Sequence, residues 1–436
     1  MKAKEVVLII VLILAGMAVY AAREGRFEFN WSENGFRFGF YEEYEFEETQ
    51  TIEPPLPAKL KLVNRQGSID VQGTDEDKLR FTLQKRIWRK TKKKADEVAA
   101  KLKAVVERDG DILSLSTNRG VFRKTGFQTN FKVWIPRRMA VELDNTHGDV
   151  LVTEAAETSV TNSHGDVSVS DIAGGLFIKN NHGLVEADRV EAGCRLETAH
   201  DDLKVSGIKG DAVLSNRHGR VRLRDISGQT EIEAPFCVVE GSHLAGLLKI
   251  ANSHEKIILD AVGGVQIVSR HSPVEIHEVQ GDVAIEDTYA QVELQAIRGR
   301  VLVSGKSLEV SARAIAGDEI RIKTTHENVT LEDFSAPTYI QIEHGNTQLA
   351  PSSLSHPIEV LGRYGDIVLA WPAGETNPLE ASTRGGDVDW GLSARPDVEE
   401  TNGTSVLKAF LKETGKPAVR LTTSHGHIRI REGSNR

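Results

Sequence analysis

Ten of the fourteen histidines recur at a nearly fixed interval, and the imidazole side chain can bind metal ions or transfer protons. They are His147, His164, His182, His200, His218, His254, His271, His326, His344 and His425. The first five are separated by 17, 18, 18 and 18 residues. Aspartates lie at or near two positions after several of them, namely Asp149, Asp166, Asp202, Asp282 and Asp366. Stacked imidazoles, together with a neighbouring carboxylate, could chelate zinc or copper.

The alternative is that each histidine is a corner residue that stacks on its copies and bonds to the local backbone. A zinc site needs three or four ligands that converge on one point, whereas the side chains of a repeated ladder stand in parallel rows. The sequence also contains no nucleotide-binding glycine loop, G-x-S-x-G motif or H-E-x-x-H motif. We therefore predict no metal site, cofactor or catalytic residue. The candidate ligand-binding residues are His147, His164, His182, His200 and His218.

The residues around each histidine form a strand pattern. With the histidine as position 0, apolar residues recur at +3, +5 and +8 and four residues before the next histidine, as in Val167, Val169, Ile172 and Ile178. Glycine recurs at +10, where we expect a positive φ or a tight corner. The segment Asn-x-His-Gly is the second corner. Such short strands must pair with their copies, so we predict a mostly β fold: a parallel β-solenoid of about fifteen rungs of 17–20 residues.

Some copies lack the histidine but keep the frame. Phe236, Tyr289 and Ser307 occupy position 0 in their turn, and Tyr364 and Arg384 precede similar corners. This repeat predicts a solenoid over residues 141–390, with a final rung and tail at residues 418–436. Residues 391–417 are predicted to be a helical insertion, because Ser405 to Thr414 has the spacing of an amphipathic helix.

The amino-terminal region has a different composition. Residues 6–22 are an uninterrupted apolar run after Lys2 and Lys4, so residues 1–22 are predicted to be a transmembrane anchor or signal segment. The body would then be exported to the cell envelope. Residues 23–57 are predicted to be an aromatic hairpin around Asn34-Gly35 and an acidic linker. We expect this hairpin to lie near lipid headgroups or to pack on the body. The alternative is that it forms an edge through which copies of the chain associate.

Residues 58–140 are predicted to form an α+β cap that covers the first exposed strand edge. Its helix would include Ala95, Val98, Ala99, Leu102, Val105 and Val106 and end at Asp109-Gly110. The single basic cluster, from Lys85 to Lys94, is either a solvated corner or a contact for anionic lipid or polymer.

Charge and cysteine content exclude several classes of protein. The net charge of −9 and the pI near 5.9 argue against nonspecific nucleic-acid binding. Two cysteines, Cys194 and Cys237, are too few for a disulfide scaffold, and we interpret them as small buried residues.

Three motifs indicate a known family. They are the segments Leu60–Val71, Val133–Pro136 and Val141–Val150, which read LKLVNRQGSIDV, VWIP and VELDNTHGDV. This arrangement resembles a bacterial β-strand-repeat family of exported proteins of unknown function that are often labelled as adhesins. The resemblance covers residues 58–390 and 418–431. It implies a solenoid associated with the envelope, and it supplies no catalytic residues.

We therefore expect a non-catalytic binding or scaffold protein displayed at the envelope. Its partner would be an envelope polymer or a surface protein, and nucleic acid is not expected. The alternative is a solenoid enzyme that acts on an envelope polysaccharide. That function would require carboxylates clustered at one level of the stack, above the background of the repeat.

Overall fold

The structure is a computed structural model that describes residues 27–32, 35–122, 126–393, 395–401, 403–411 and 415–433. It confirms a mostly β chain folded as a parallel β-solenoid with few helices. The chain divides into an amino-terminal unit, Met1–Ala192, and a carboxy-terminal unit, Gly193–Arg436. The predicted membrane segment, residues 1–22, lies outside the described residues, and no helix within them is long and apolar enough to cross a membrane.

The amino-terminal unit begins with an antiparallel pair of strands, as predicted around Asn34-Gly35. Its elements are β1 (Phe27–Ser32), β2 (Gly35–Phe40), β3 (Glu42–Ile52), β4 (Lys59–Val63), β5 (Ile69–Thr74), β6 (Leu79–Arg89), α1 (Lys92–Lys101), β7 (Ala104–Asp109) and β8 (Ile112–Thr117). A 3₁₀ turn (Arg119–Val121) is followed by β9 (Phe127–Pro136), β10 (Ala140–Asp144), β11 (Val150–Thr153), β12 (Thr158–His164), β13 (Val167–Ile172), β14 (Leu176–His182) and β15 (Val185–Val190).

Each solenoid turn of this unit is a pair of strands that adds in parallel to the next pair. Leu62, Leu143, Val160 and Ile178 stand in register on successive turns and are fully buried. Such in-register apolar rows form the core because alternate residues of a strand point to one face. The first turn in sequence, β4 and β5, lies between the β10–β11 turn and the β8–β9 turn.

The amino-terminal cap covers the outermost turn with antiparallel strands. Strand β6 pairs with β9, β7 pairs with β8, and β3 pairs with β6 along its full length. The helix α1 packs on this layer over Ile87 and Phe127. An exposed strand edge invites aggregation, and these pairings cover it.

Two predictions for this region are wrong. The acidic linker is strand β3, and its carboxylates pair with the basic cluster, as in the buried Lys85, whose Nζ is 2.7 Å from Glu48 Oε2. The helix ends at Lys101 rather than near Asp109, because Val105 and Val106 pair with β8 as strand residues. Tertiary pairing overrides their helical spacing.

The carboxy-terminal unit contains the remaining strands. They are β16 (Cys194–Thr198), β17 (Leu203–Ile208), β18 (Ala212–Ser215), β19 (Gly219–Ile226), β20 (Thr230–Pro235), β21 (Cys237–Ser253), β22 (Ile257–Val268), β23 (Val274–Val279), β24 (Val283–Ile297), β25 (Val301–Ile315) and β26 (Ile320–Thr324). They continue with β27 (Val329–Phe334), β28 (Thr338–His344), β29 (Thr347–Ala350), β30 (Ile358–Tyr364), β31 (Ile367–Trp371), β32 (Leu379–Arg384), β33 (Val388–Gly391), β34 (Asp397–Thr401), β35 (Thr404–Ala409), β36 (Val419–Thr423) and β37 (Ile428–Glu432).

The last turn in sequence, β36 and β37, is not at the end of the stack. It lies between the β30–β31 turn and the β32–β33 turn. The predicted helix within residues 391–417 is wrong for the described residues, because β34 and β35 form an antiparallel hairpin and β35 covers the edge of β32. Leu407 and Ala409 are buried alternately, which is the period of a strand.

The left-handed residue near the second corner is not the glycine at +10. In most turns it lies at position +7, as in Asp171 with φ 59° and Glu278 with φ 55°. The glycine at +10 is needed instead because neighbouring turns approach closely there: a Cβ on Gly228 would overlap the backbone of Gly210.

Candidate functional site: ring columns on a solenoid corner

The candidate site is the corner that presents position 0 in every turn. In the amino-terminal unit, the residue after the histidine is a glycine with positive φ, as in Gly165 with φ 122°. A Cβ on Gly165 would also overlap the carbonyl group of Gly148 on the preceding turn. Glycine at +1 therefore lets the turns stack tightly while the histidine beside it points to solvent.

The carboxy-terminal unit keeps this glycine after His218, His344, Tyr364 and His425 and builds its other corners with different residues. After His200, the left-handed residue is Asp201, with φ 79°. At Phe236, His271 and Tyr289, the ring residue itself is left-handed, with φ 59°, 58° and 65°. Each corner thus has one left-handed residue, at position 0 or +1.

Buried asparagines stabilise the corner by hydrogen bonds to its backbone carbonyls. Asn162, two residues before His164, donates from Nδ2 to the carbonyl oxygens of Gly148 and Gly165, at 3.2 and 3.3 Å. Asn180 makes the equivalent bonds to the oxygens of Gly165 and Gly183. Each amide therefore joins the corner of its own turn to that of the preceding turn. We call this row the asparagine ladder; in the amino-terminal unit its members are Asn64, Asn145, Asn162 and Asn180.

The ladder position varies in the carboxy-terminal unit, where it holds Asn216, Asn252, Ala234 and Asp287 in different turns. Asp287 is 1% exposed and accepts hydrogen bonds from Ser269 Oγ and from the backbone N–H groups of His271 and Thr288. Burial raises the pKa of the Asp287 carboxyl despite these bonds.

The aspartates that suggested metal binding have structural partners. Asp149 Oδ1 accepts from the N–H of Asp166 at 3.0 Å, and Asp166 Oδ1 accepts from the N–H of Leu184 at 2.9 Å. Asp202 and Asp366 make the same bond to the next turn of their own unit. Each carboxylate therefore fixes the backbone of the neighbouring turn.

Asp282 lies at the other corner of its turn, immediately before β24, and not two residues after a histidine. Its carboxylate accepts from the N–H of Arg300 at 2.9 Å and pairs with the guanidinium of the same residue at 2.6 Å. Hydrogen bonds from the Arg300 side chain and backbone lower the pKa of Asp282.

The histidines predicted as site residues form stacks within each unit. In the amino-terminal unit the ring centroids of His147 and His164 are 4.7 Å apart, and those of His164 and His182 are 4.8 Å apart. We call these three rings the amino-terminal column. All three residues are exposed. Their spacing equals the separation of neighbouring strands, so the backbone sets it.

The carboxy-terminal column is longer and mixed. His200 stacks on His218 at 5.4 Å, and the stack continues through Phe236, His254, His271 and Tyr289 at 5.0–5.6 Å. A second run contains His326, His344, Tyr364 and His425 at 4.7–4.9 Å. Ser307 occupies the turn between the two runs.

The stacking decides what the columns can do chemically. Each ring face inside a run is covered by its neighbour, so the rings offer their edges to solvent: imidazole nitrogens and tyrosine hydroxyls, repeated about every 5 Å. Nearly parallel rings direct their in-plane lone pairs the same way, so they do not converge on one ion. Among the described residues, no group of three or more His, Cys, Asp or Glu side chains is placed to hold a metal.

The two cysteines are buried and free within the described structure. Desolvation raises the pKa of Cys194 to about 12, and desolvation with nearby Glu255 and Asp202 raises that of Cys237 to about 12. Both side chains are therefore thiols at neutral pH, which are poor nucleophiles.

The sequence located the corner but missed two of its components. Phe236, Tyr289 and Tyr364 were predicted to keep the frame, and the structure shows that their rings continue the stack. The asparagine two residues before the histidine was interpreted as a turn residue, whereas it is a buried donor. Its recurrence at the end of an apolar strand was the available signal.

Comparison with known proteins covers part of the chain. Residues 268–431 match the Toastrack DUF4097 family. Over these residues, which run from the end of β22 to β37, the match supports the β-repeat family that the sequence motifs indicated. No curated protein is similar in sequence to the chain.

A solved structure also aligns with the chain. The crystal structure of a protein described as a putative cell adhesion protein, from Clostridium sporogenes ATCC 15579, aligns with 89% of this chain and 100% of that chain. The identity is 10% and the TM-score is 0.16, and at that TM-score the alignment adds nothing to the assignment of fold.

Proposed function

We propose that this chain is a non-catalytic binding or scaffold protein, held at the cell envelope by residues 1–22, whose ring columns bind an envelope polymer or a surface protein. The proposal depends on the columns, because they are the feature of the described surface that repeats most regularly and is exposed.

One observation carries the proposal: the fold does not require a ring at position 0. Ser307 occupies this position with φ 49°, close to the values at Phe236 and His271, and its turn pairs normally on both sides. That corner is held by the left-handed residue itself and by the strand pairing on both sides of it. The exposed rings therefore contribute a surface, and a surface of repeated ring edges suits a repetitive partner.

The test is binding of the full chain, purified in detergent, to isolated cell envelopes. A column variant, H218S/F236S/H254S/H271S, removes four rings and places at each corner the residue that Ser307 already shows to be tolerated. A control variant, R195S/V213S/E231S/K249S, changes four exposed residues that stand in register on neighbouring strands away from the corner.

We expect the column variant to bind at least about tenfold more weakly and the control variant to bind like the original chain. Equal binding by the column variant and the original chain would refute the proposal. For the location, a reporter enzyme that is active only outside the cytoplasm is fused to the carboxy terminus. Reporter activity supports export, and an inactive, fully expressed fusion contradicts it.

A further inference from the structure

The carboxy-terminal column has one missing ring. Tyr289 is covered on one side by His271, at 5.1 Å, and His326 is covered on one side by His344, at 4.9 Å. Between them stands Ser307, whose side chain ends at its Cβ and hydroxyl. Among the described residues, no ring or cation covers the two faces that Tyr289 and His326 turn toward this turn.

The gap has the thickness of one ring. Strand β24 pairs with β25 in exact register around Ser307, and β25 then pairs with β26 and β27. Tyr289 and His326 are therefore two strand spacings apart, which is roughly 10 Å. A ring midway between them would lie about 5 Å from each, which is within the range of aromatic contacts. Tyr289 is 59% exposed, so the gap opens directly to solvent.

The border of the gap is polar. Thr288, Lys306 and Thr325 precede the three position 0 residues, and Ser307 forms the floor. Thr325 Oγ1 lies 3.0 Å from His326 Nδ1 and so fixes the orientation of that ring. Two ring faces flanked along the chain by residues with hydroxyl and ammonium groups fit an occupant that is apolar on its faces and polar around its edge.

We propose that the gap at Ser307 is a binding site for one pyranose ring of a glycan. A pyranose presents C–H groups on its faces and hydroxyls around its rim, which matches both parts of the site. An aromatic side chain of a partner protein would cover the faces but leave the polar rim without partners, so it fits less well. The inference rests on the proposed function and names the class of envelope polymer, a polysaccharide, that the column would bind.

The structure offers a precise way to close the site. Ser307→Tyr adds the missing ring, and the backbone accepts it because Phe236, His271 and Tyr289 have nearly the same φ at the same position. The matched control is Ser304→Tyr, which adds the same side chain to an exposed position of the same strand, outside the column. A third variant, Tyr289→Ser, removes one wall.

The experiment measures binding of soluble trisaccharides of glucose, N-acetylglucosamine and glucuronic acid to the full chain by saturation-transfer NMR and calorimetry. At least one sugar is expected to bind, with Kd raised about tenfold or more by Ser307→Tyr and by Tyr289→Ser and unchanged by Ser304→Tyr. Ser307→Tyr is also expected to raise Tm, since it completes the stack.

Three outcomes overturn the site: none of the sugars binds, Ser307→Tyr binds sugar as well as the original chain, or a phenol or indole probe binds at the gap while the sugars do not. Envelope binding separates this failure from failure of the proposed function. If the original chain and Ser307→Tyr bind envelopes equally, the site is wrong and the function stands. If neither binds, the function fails as well.

Discussion

The amino-terminal and carboxy-terminal columns stand on the same solenoid corner, but the two units build that corner with different residues. In the amino-terminal column every ring is histidine, every residue after the ring is glycine, and every ladder residue is asparagine. In the carboxy-terminal column the rings are mixed, the left-handed residue moves between positions 0 and +1, and the ladder includes Ala234 and Asp287. The comparison indicates that the corner backbone is constrained, whereas the identity of the ring is free to vary.

The largest expected effect separates the two kinds of corner. Gly165→Ala places a side chain at positive φ against the carbonyl of Gly148, and strain and overlap together should cost about 3–5 kcal/mol of unfolding free energy. Asp201→Ala changes a corner that already carries a side chain at positive φ and should cost about 1 kcal/mol. Urea titration measures both. Similar losses in the two variants would contradict the distinction between these corners.

The asparagine ladder should give the next largest effect. Asn162→Ala removes a buried donor from two glycine carbonyls and should cost about 2 kcal/mol. The control is Asn181→Ala, the same change at an exposed position, with an expected loss under about 0.5 kcal/mol. If the two variants melt alike, the ladder does not stabilise the amino-terminal corner.

At Asp287 the asparagine ladder can be tested by how the unfolding free energy depends on pH. Because burial raises the pKa of its carboxyl in the folded chain, the unfolded chain ionises at lower pH, and the stability contributed by this residue falls as pH rises from about 3.9 through the folded value. Asp287→Asn restores the ladder residue and removes this loss. The variant should therefore be more stable than the original chain at pH 7, with a difference that shrinks toward pH 3.

The control for this prediction is Glu286→Gln at the adjacent, exposed position. It should leave the dependence of unfolding free energy on pH unchanged. A stability difference between Asp287→Asn and the original chain that does not depend on pH would show that the Asp287 carboxyl has no special role in the carboxy-terminal ladder.

The rings themselves should give the smallest effect on stability. His164→Ser and Phe236→Ser each remove an exposed stacked ring, and each should cost about 0.5–1.5 kcal/mol or less. Differential scanning calorimetry compares them with Gly165→Ala. If either ring change costs as much as the glycine change, the rings are part of the fold and not only of its surface.

The sequence predicted the repeated strands because alternation records which side chains point inward. Val167, Val169 and Ile172 are all buried, as their spacing indicated. It did not predict where the first and last turns lie. The β4–β5 turn lies between two turns that come later in the sequence, and the β36–β37 turn lies between two that come earlier. Copies of one repeat can pair equally well with any other copy, so the repeat pattern does not give their order in space.

The carboxy-terminal hairpin and the candidate site also depend on which segments are neighbours in space, which the sequence does not give. Val406, Leu407 and Phe410 fit a helical spacing, but pairing with β32 decides that the segment is a strand. The histidine frame located the columns, and Ser307 was recognised as a member of it. The gap that Ser307 leaves between two rings depends on neighbouring turns, so it became visible only in the structure.

The most direct test of the central claim places a photocrosslinking residue on the column. Phe236→p-benzoylphenylalanine puts the probe in the carboxy-terminal column, where the native side chain is 49% exposed, and Val213→p-benzoylphenylalanine puts it on an exposed strand position of the same unit, where the native side chain is 38% exposed. The full chain is irradiated with isolated envelopes. We predict crosslinks to envelope material from position 236 and none from position 213; crosslinks from position 213 alone, or equally from both, would contradict binding through the column.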